Sequence, residues 1–367
     1  MSDPAVIFGG PSPEHDVSIL TGLQAVQALA KAGHRVTALY WSKTGDWFSV
    51  DPGVEAKHFL DGAPAGAAPV RLVASTGGGF VASARLGRDR PIEISGAVNC
   101  CHGGPGEDGS LSAALDLAGV RYTGPSVSAA ALGMDKLAFG AVVTAAGLPS
   151  LPRAALTAAG DVDFDGPYIV KPRYGGSSIG IDTVADLDTA RARLSANVHL
   201  KGGAVIEPYR PDSYDLNIAV RTWPELELSA IEKPLRSDKG SDILGYADKY
   251  VGGEGMVSAP RELPAAIDDA TAESIRAMAA RIVEVAAVRG IARIDFLADG
   301  DGLYVNEINT IPGSLAKYLW VEPPVSFDRL LSDMLDEAER RPTTAWTVQG
   351  ADGSALRSAG SIASKLA

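Results

Sequence analysis

The chain has 367 residues, 46% of them hydrophobic, which is enough for two or three domains with a substantial core. Its 33 basic residues stand against 45 acidic ones, and the resulting charge of −12 repels phosphate backbones and argues against a nucleic-acid partner. No apolar run reaches the ~20 residues of a membrane helix, MSDPAVIFGG lacks the basic start of a signal peptide, and adjacent Cys100 and Cys101 are unsuited to bridging each other, so a reduced cytoplasmic protein with no membrane partner is expected.

PAVIFGG reads as an apolar strand ending in glycines. SILTGLQAVQALAKAGH has Ile19, Leu23, Val26 and Leu29 at helical spacing and Gly33 as its stop, and RVTALYWS is the next strand. Strand, helix and strand in that order predict a parallel α/β layer. Residues 51–90 read as an insertion or loose hairpin region, GAVNCCHGG as a strand entering glycines, and SLSAALDLAGV as a short helix. A second unit opens near Tyr122, with MDKLAFGAVVTAAGLPS as a helix, YIVKPRYGGSSIGI as strand, glycine loop and strand, and AVIEPY as a strand. A third begins near Arg210 with strands YDLNIAVRTW and LELSAIEKPL, a polar loop, the helix AAIDDATAESIRAMAARIVEVAAV and a final hairpin. The expected domains are 1–122, 123–209 and 210–340, followed by a polar tail over 341–367 that frays.

The final hairpin, IARIDFLADGDGLYVNEINT, carries most of the chemistry. Residues two apart share a strand face, which groups Arg293 with Asp295, and Val305 with Glu307 and Asn309. The Asp-Gly-Asp-Gly segment is a hairpin turn signal, and if the loop leaves Asp295 opposite Glu307, then Arg293 lies opposite Asn309. A slip of one residue would scatter these groups to opposite faces. Two carboxylates and an amide oxygen are hard ligands suited to magnesium, which takes its remaining ligands from water and phosphate. The alternative is a salt-bridged surface hairpin.

Lys171 ends an apolar strand just before the Gly175–Ser178 loop. Backbone N–H groups in such a loop cradle phosphate oxygens while the lysine adds a point charge. The lysine precedes the glycines, so this is not the G-x-x-x-x-G-K-[ST] loop, and a plain glycine hairpin is the alternative. His102 before Gly103-Gly104 is a candidate to polarise a substrate, with a packed or turn-capping histidine as the alternative. Cys100 and Cys101 read as packing residues.

Together these pieces resemble the ATP-grasp superfamily. GGPSPEHDVSI, HGGPGEDGSL, RYTGPS, GMDK, ILGYADKY and RIDF…NEINTIPG, in that order over about residues 4–335, resemble the D-alanine-D-alanine ligase family. The resemblance implies an α/β (α+β ATP-grasp) fold of three domains, with an N-terminal parallel α/β layer and nucleotide between the central and C-terminal domains. It implies ATP and two Mg2+ ions as cofactors, with Mn2+ as an alternative ion, amino acids as small-molecule substrates, and a homodimer formed through the N-terminal unit.

Carried over by residue, the resemblance assigns Lys136, Lys171 and Glu207 to adenine and phosphates, with Tyr209 and Arg210 beside the base. Asp215 stands where the family usually has a ribose-binding Glu. Lys249 and the loop containing Gly176 and Ser178 would close on the γ-phosphate. Asp295, Glu307 and Asn309 would hold the metals. Glu14, Ser177 and Tyr250 would form a hydrogen-bonded set joining the mobile loop, 237–255, to the first substrate. Arg293 and the Gly313 N–H would face the oxyanion.

The sequence departs from the family after Pro312-Gly313. There the family carries a Thr-Ser pair and then a Ser that holds the acceptor carboxylate. Here Ser314-Leu315-Ala316-Lys317-Tyr318-Leu319 follows, with Tyr318 at that Ser. Lys317, Tyr318 and Leu319 are expected at the acceptor pocket, with His102. Leu244-Gly245 replaces an aromatic-Asp pair, while Tyr250 favours an amine nucleophile over a hydroxyl. The leading expectation is D-alanyl-D-alanine formation through an acyl phosphate. A specialised ligase for other amino acids, or one closing an amide in small-metabolite biosynthesis, is the alternative. A non-catalytic nucleotide-binding protein is a third, opposed by Asp295, Glu307, Asn309, Lys171 and Arg293 all being present.

Overall fold

A computed structural model describes residues 3–83, 89–235, 260–343 and 346–363. Lys249, Tyr250, Leu244-Gly245 and the expected lid over 237–255 lie outside the described residues.

The N-terminal sheet has seven strands in the order β6-β5-β4-β3-β2-β1-β7. Strand β1 (Ala5–Gly9) runs parallel to β2 (Thr37–Trp41) and β7 (Ala97–Asn99), as strand-helix-strand patterning predicts. Helix α1 (His15–Lys31) covers this part through Val17, Ile19, Leu23, Val26 and Leu29. The parallel layer is only part of the sheet. Strands β3 (Trp47–Val50), β4 (Ala68–Val73), β5 (Gly79–Ala82) and β6 (Arg90–Pro91) extend it in antiparallel fashion through the supposed insertion. Val70 and Phe80 are buried there with Trp41 and Trp47 packed against them, in one core shared with Ile7, Leu39, Leu111 and Leu115. Two short helices follow, α2 (Gly104–Glu107) and α3 (Ser110–Ala118).

The predicted helix around Met134 is two helices, α4 (Val127–Met134) and α5 (Lys136–Ala145). Asp135 between them is extended, and its carboxylate accepts the Leu137 and Ala138 N–H groups, ending one helix and capping the next. The central sheet is antiparallel, in the order β10-β9-β11-β8, with β8 (Ala154–Leu156), β9 (Tyr168–Pro172), β10 (Asp182–Val184) and β11 (Ala204–Pro208). Helix α6 (Leu187–Ala196) connects β10 to β11.

The C-terminal sheet, β14-β13-β12-β15-β16, is also antiparallel. It comprises β12 (Tyr214–Arg221), β13 (Glu227–Pro234), β14 (Arg261–Glu262), β15 (Ile291–Ala298) and β16 (Leu303–Asn309). Helix α7 (Asp269–Val285) buries Ile275, Met278 and Ile282 against Leu216, Ile218, Ile294 and Phe296. The other face of the sheet looks toward the central unit. Helix α8 (Phe327–Arg340) returns to the N-terminal unit, where Leu330, Leu331 and Met334 join the core beneath α1.

The predicted hairpin register is present, with Asp295 opposite Glu307 and Arg293 opposite Asn309. The expectation that Val305 shares their face is wrong. Phe296 pairs with Val305 while Asp295 pairs with Glu307, so Asn306 is an extra residue in a bulge. The bulge turns Val305 into the core with Ile308 and adds Asn306 to the cleft face.

Candidate active site

The central and C-terminal sheets enclose a cleft of about 1270 Å³, counting its open mouth. A smaller compartment of about 610 Å³ adjoins it, and Lys136, Gly175, Gly176, Arg293 and Glu307 line both. Lys171, Glu207, Tyr209, Arg210, Asp215, Ser178 and Asn306 lie on the larger cleft alone.

Strand β9 delivers Lys171 and β11 delivers Glu207, whose side chain is 1% exposed; their Nζ and Oε2 are 2.8 Å apart. Burial alone would push the Glu207 carboxyl up, but Lys171, Arg153 and Lys136 outweigh it and hold the group below the usual carboxylate range. Lys171 Nζ also donates to Asn306 Oδ1 at 3.3 Å, joining the central sheet to the β16 bulge. At the outer end, Arg210 Nη1 pairs with Asp301 Oδ2 at 2.7 Å in the β15–β16 turn.

Glu232, Asn217, Asp295 and Glu307 face one another in register on β13, β12, β15 and β16. Arg293 grips Asp295 through Nε and Nη2, both at 2.6 Å, and Asn309 Nδ2 donates to Asp295 Oδ2 at 2.9 Å. Lys136 Nζ stands 3.1 Å from Glu307 Oε2. Burial works against the Arg293 charge, yet Asp295 more than restores it, leaving the guanidinium firmly protonated. Among the described residues no group of three His, Cys, Asp or Glu side chains is placed to enclose a metal ion. Asp295, Glu307 and Asn309 share one face and offer the hard oxygen donors of a dication whose shell phosphate and water would complete. Lys136 and Arg293 neutralise those carboxylates in the structure.

In the smaller compartment Ser177 Oγ donates to Glu14 Oε1. Glycine makes room for this pair: a Cβ on Gly103, whose φ is +61°, would come within 2.4 Å of Glu14 Oε2. Ser177 and Ser178 have φ of +53° and +59°, a left-handed conformation that costs on the order of 1 kcal/mol or more per residue. The glycine loop is thus bent toward Glu14.

His102 donates from Nδ1 to the Ile311 carbonyl and has Nε2 at Thr21 Oγ1, each at 2.7 Å. Thr21 Oγ1 accepts the Ser314 N–H at 3.0 Å. Glu107 accepts the Ile311 N–H at 2.9 Å and the Thr310 hydroxyl at 3.2 Å, and its second oxygen takes the Gly103 N–H at 2.8 Å. These three N-terminal side chains clamp the backbone on both sides of Gly313. Burial pushes His102 down to about 4, so it is neutral, and both its ring nitrogens are engaged within the protein. It holds the turn instead of presenting a free nitrogen to a substrate.

Two acceptor-segment expectations fail. Lys317 turns away, with Nζ 5.0 Å from the Phe327 ring, in a groove between α1 and α8. Leu319 is 0% exposed in the core. The cause is the backbone, because Ser314, Leu315 and Ala316 all have left-handed φ near +50° and redirect the chain. Tyr318 does reach the site's edge, where its hydroxyl accepts from Arg293 Nη1 at 3.4 Å. Its ring lies under the Arg261 guanidinium at 4.3 Å, and Arg261 pairs with Glu232 at 3.0 Å. Burial, then the Glu232 charge, raises the Tyr318 hydroxyl above its ordinary value.

Sequence reasoning missed Asn306, Thr21, Glu107 and Glu232. Glu107 sits inside HGGPGEDGSL and was visible by motif. Asn306 depends on the bulge, which no strand periodicity reveals.

A family model described as D-ala D-ala ligase N-terminus matches residues 4–125, and one described as D-ala D-ala ligase C-terminus matches 132–336. The chain is 33% identical to the D-alanine--D-alanine ligase of Kineococcus radiotolerans over 92% of its own length and 97% of the relative's. It is 31% identical to that of Mycolicibacterium vanbaalenii at the same coverage. Its fold is similar to the crystal structure of the Helicobacter pylori D-alanine-D-alanine ligase, with a TM-score of 0.73 at 24% identity, covering 94% of this chain and all of that one. It is also similar in fold to the VanG D-Ala:D-Ser ligase of Enterococcus faecalis, with a TM-score of 0.73 at 22% identity, covering 92% of this chain and 99% of that one. With both family halves matched in order and the ATP-grasp architecture present, the chain belongs to the D-ala D-ala ligase family of ATP-dependent, C–N bond-forming ligases.

Proposed function

We propose that this protein joins two D-alanine molecules into D-alanyl-D-alanine, consuming ATP and releasing ADP and phosphate, as a step of cell-wall peptidoglycan precursor synthesis. The observation that carries the reading is the meeting of Asp295, Glu307 and Asn309 with Lys136 and Arg293 at the seam between the two compartments. ATP lies in the larger cleft, its base beside Tyr209 and Arg210, its ribose at Asp215 and its phosphates toward Lys136, Lys171, Gly176 and Ser178. Asp295, Glu307 and Asn309 would hold two Mg2+ ions, with Mn2+ as a substitute, and the metal would supply charge neutralisation for the transferring phosphoryl group.

The first D-alanine occupies the smaller compartment with its ammonium at Glu14, which Ser177 orients. Its carboxylate oxygen attacks the γ-phosphorus, the bond to the ADP oxygen breaks, and an acyl phosphate forms. The second D-alanine amine then attacks the acyl carbon, loses a proton, and phosphate departs. Arg293 and the Gly313 N–H stabilise the oxyanion between these events, each donor contributing roughly 3–4 kcal/mol. Asp295 occupies Nε–H and one N–H of Nη2 on Arg293, which leaves the Nη1–Nη2 end of the guanidinium, touched at Nη1 by Tyr318, for the oxyanion. His102, Thr21 and Glu107 keep the Gly313 turn in place. The reaction is cytoplasmic, which the free buried thiols of Cys100 and Cys101 support, and the active form is a homodimer.

A second reading, a ligase with a different acceptor, is favoured by one observation. Tyr318 with its Arg261–Glu232 support stands where the family places a carboxylate-binding Ser. Phosphate release measured against pairs of D- and L-amino acids, with product mass, separates the two. D-alanine alone should give the highest kcat/KM and a D-alanyl-D-alanine product. A different amino acid as preferred second substrate would establish the second reading, and no phosphate release with any pair would refute both.

A further inference from the structure

Arg153 lies just before β8, and its side chain is 6% exposed. It touches three parts of the cleft. Nη1 donates to the Lys136 carbonyl at the start of α5 at 2.8 Å, and Nη2 donates to the Asn306 carbonyl in the β16 bulge at 3.1 Å. Nε faces Glu207 Oε1 on β11 at 3.5 Å. The backbone beside it adds a parallel tie, since the Val305 N–H donates to the Pro149 carbonyl at 2.8 Å. One guanidinium therefore spans the central wall and the C-terminal wall of the cleft.

The packing around it leaves little slack. Gly140 on α5 faces Arg153, and a Cβ there would lie 2.3 Å from Arg153 Cδ and 2.7 Å from Nε. A glycine inside a helix is less favourable than alanine, and here its missing side chain makes room for the arginine. The bulge explains why a donor is needed at Asn306: the extra residue falls out of the strand ladder. Arginine suits the place because its planar fork reaches several acceptors at fixed angles, which a lysine point charge cannot.

We infer that Arg153 is a positioning residue for nucleotide binding, fixing the spacing between the Glu207–Lys171 wall and the Asn306 bulge so that the cleft is shaped before ATP arrives. It lies behind those residues and does not itself contact the nucleotide. The inference rests on the nucleotide occupying this cleft.

Titration calorimetry with MgADP on the full chain tests it, together with circular dichroism for folding. Arg153→Met should weaken MgADP binding by about tenfold or more, as loss of charge-assisted hydrogen bonds implies. Arg153→Lys should recover only part of the loss. Gly140→Ala keeps the charge but displaces the guanidinium, so it should weaken MgADP as well, and it decides the matter if Arg153→Met does not fold. The KM for D-alanine should stay within about twofold in the folded variants. Wild-type affinity in Arg153→Met or in Gly140→Ala overturns the positioning role while leaving the nucleotide site intact. Failure of the unaltered protein to bind MgADP refutes the nucleotide reading and this inference with it.

Discussion

Glu307 shows how single side chains divide the labour. Its carboxylate stands beside Lys136 and on the face of Asp295 and Asn309, so an amide of equal size removes charge without disturbing packing. Glu307→Gln should fold normally, lower kcat by roughly a hundredfold or more, and raise the magnesium needed for half-maximal rate. Normal turnover in the folded variant would remove Glu307 from the metal set. Tyr318 makes a different kind of contact, touching Arg293 Nη1 from behind. Tyr318→Ser should alter the acceptor KM or acceptor preference much more than the KM for ATP, whereas equal changes in both, or none, would mark it as packing. Residue identities of this kind were legible wherever strand alternation or a family motif fixed them. Lys317 and Leu319 were misread because three consecutive left-handed residues before them cannot be foreseen from side chains that rarely adopt that backbone.

At the level of elements, the segment between β16 and α8 is held by groups from α1, α2 and the β7–α2 loop. Thr21, His102 and Glu107 bond its backbone at Ile311 and Ser314 and the Thr310 hydroxyl, so the N-terminal unit positions the Gly313 turn, the proposed oxyanion donor of the C-terminal unit. Burial, then the nearby Glu14 charge, lifts the Glu107 carboxyl from 4.5 to about 7. The folded protein thus keeps a proton that the unfolded chain releases. That contribution is full below about pH 4.5 and is lost as pH rises through 7. His102 acts in the opposite sense, because its depressed value costs stability as pH falls from 6.5 toward 4. Glu107→Gln removes the first effect alone. Its urea stability relative to the unaltered protein should therefore improve as pH rises from about 5 to 8, and a difference independent of pH would refute the assignment. The pairing of Asp295 with Glu307 was legible as a candidate because it brings the polar groups of the hairpin together. The Asn306 bulge and the break at Asp135 were not, since each depends on a local hydrogen-bonding choice that periodicity does not encode.

The whole molecule places two compartments on either side of one polar seam. Strand order made the parallel part of the N-terminal layer and the final hairpin legible, while the antiparallel order of the other two sheets was not read and the cleft between them followed only from the family resemblance. The antiparallel extension of the first sheet was hidden by its Gly, Ala and Pro content, because Val70 and Phe80 show their purpose only once Trp41 and Trp47 are seen against them. The proposed reaction makes one chemical commitment: a carboxylate in the smaller compartment would receive the phosphoryl group from the larger. Turnover of D-alanine labelled with 18O in both carboxylate oxygens tests that commitment by the mass of the released phosphate. One 18O should appear in each phosphate and one should remain at the new amide carbonyl of the dipeptide. Phosphate released without label during dipeptide formation would contradict transfer through an acyl phosphate.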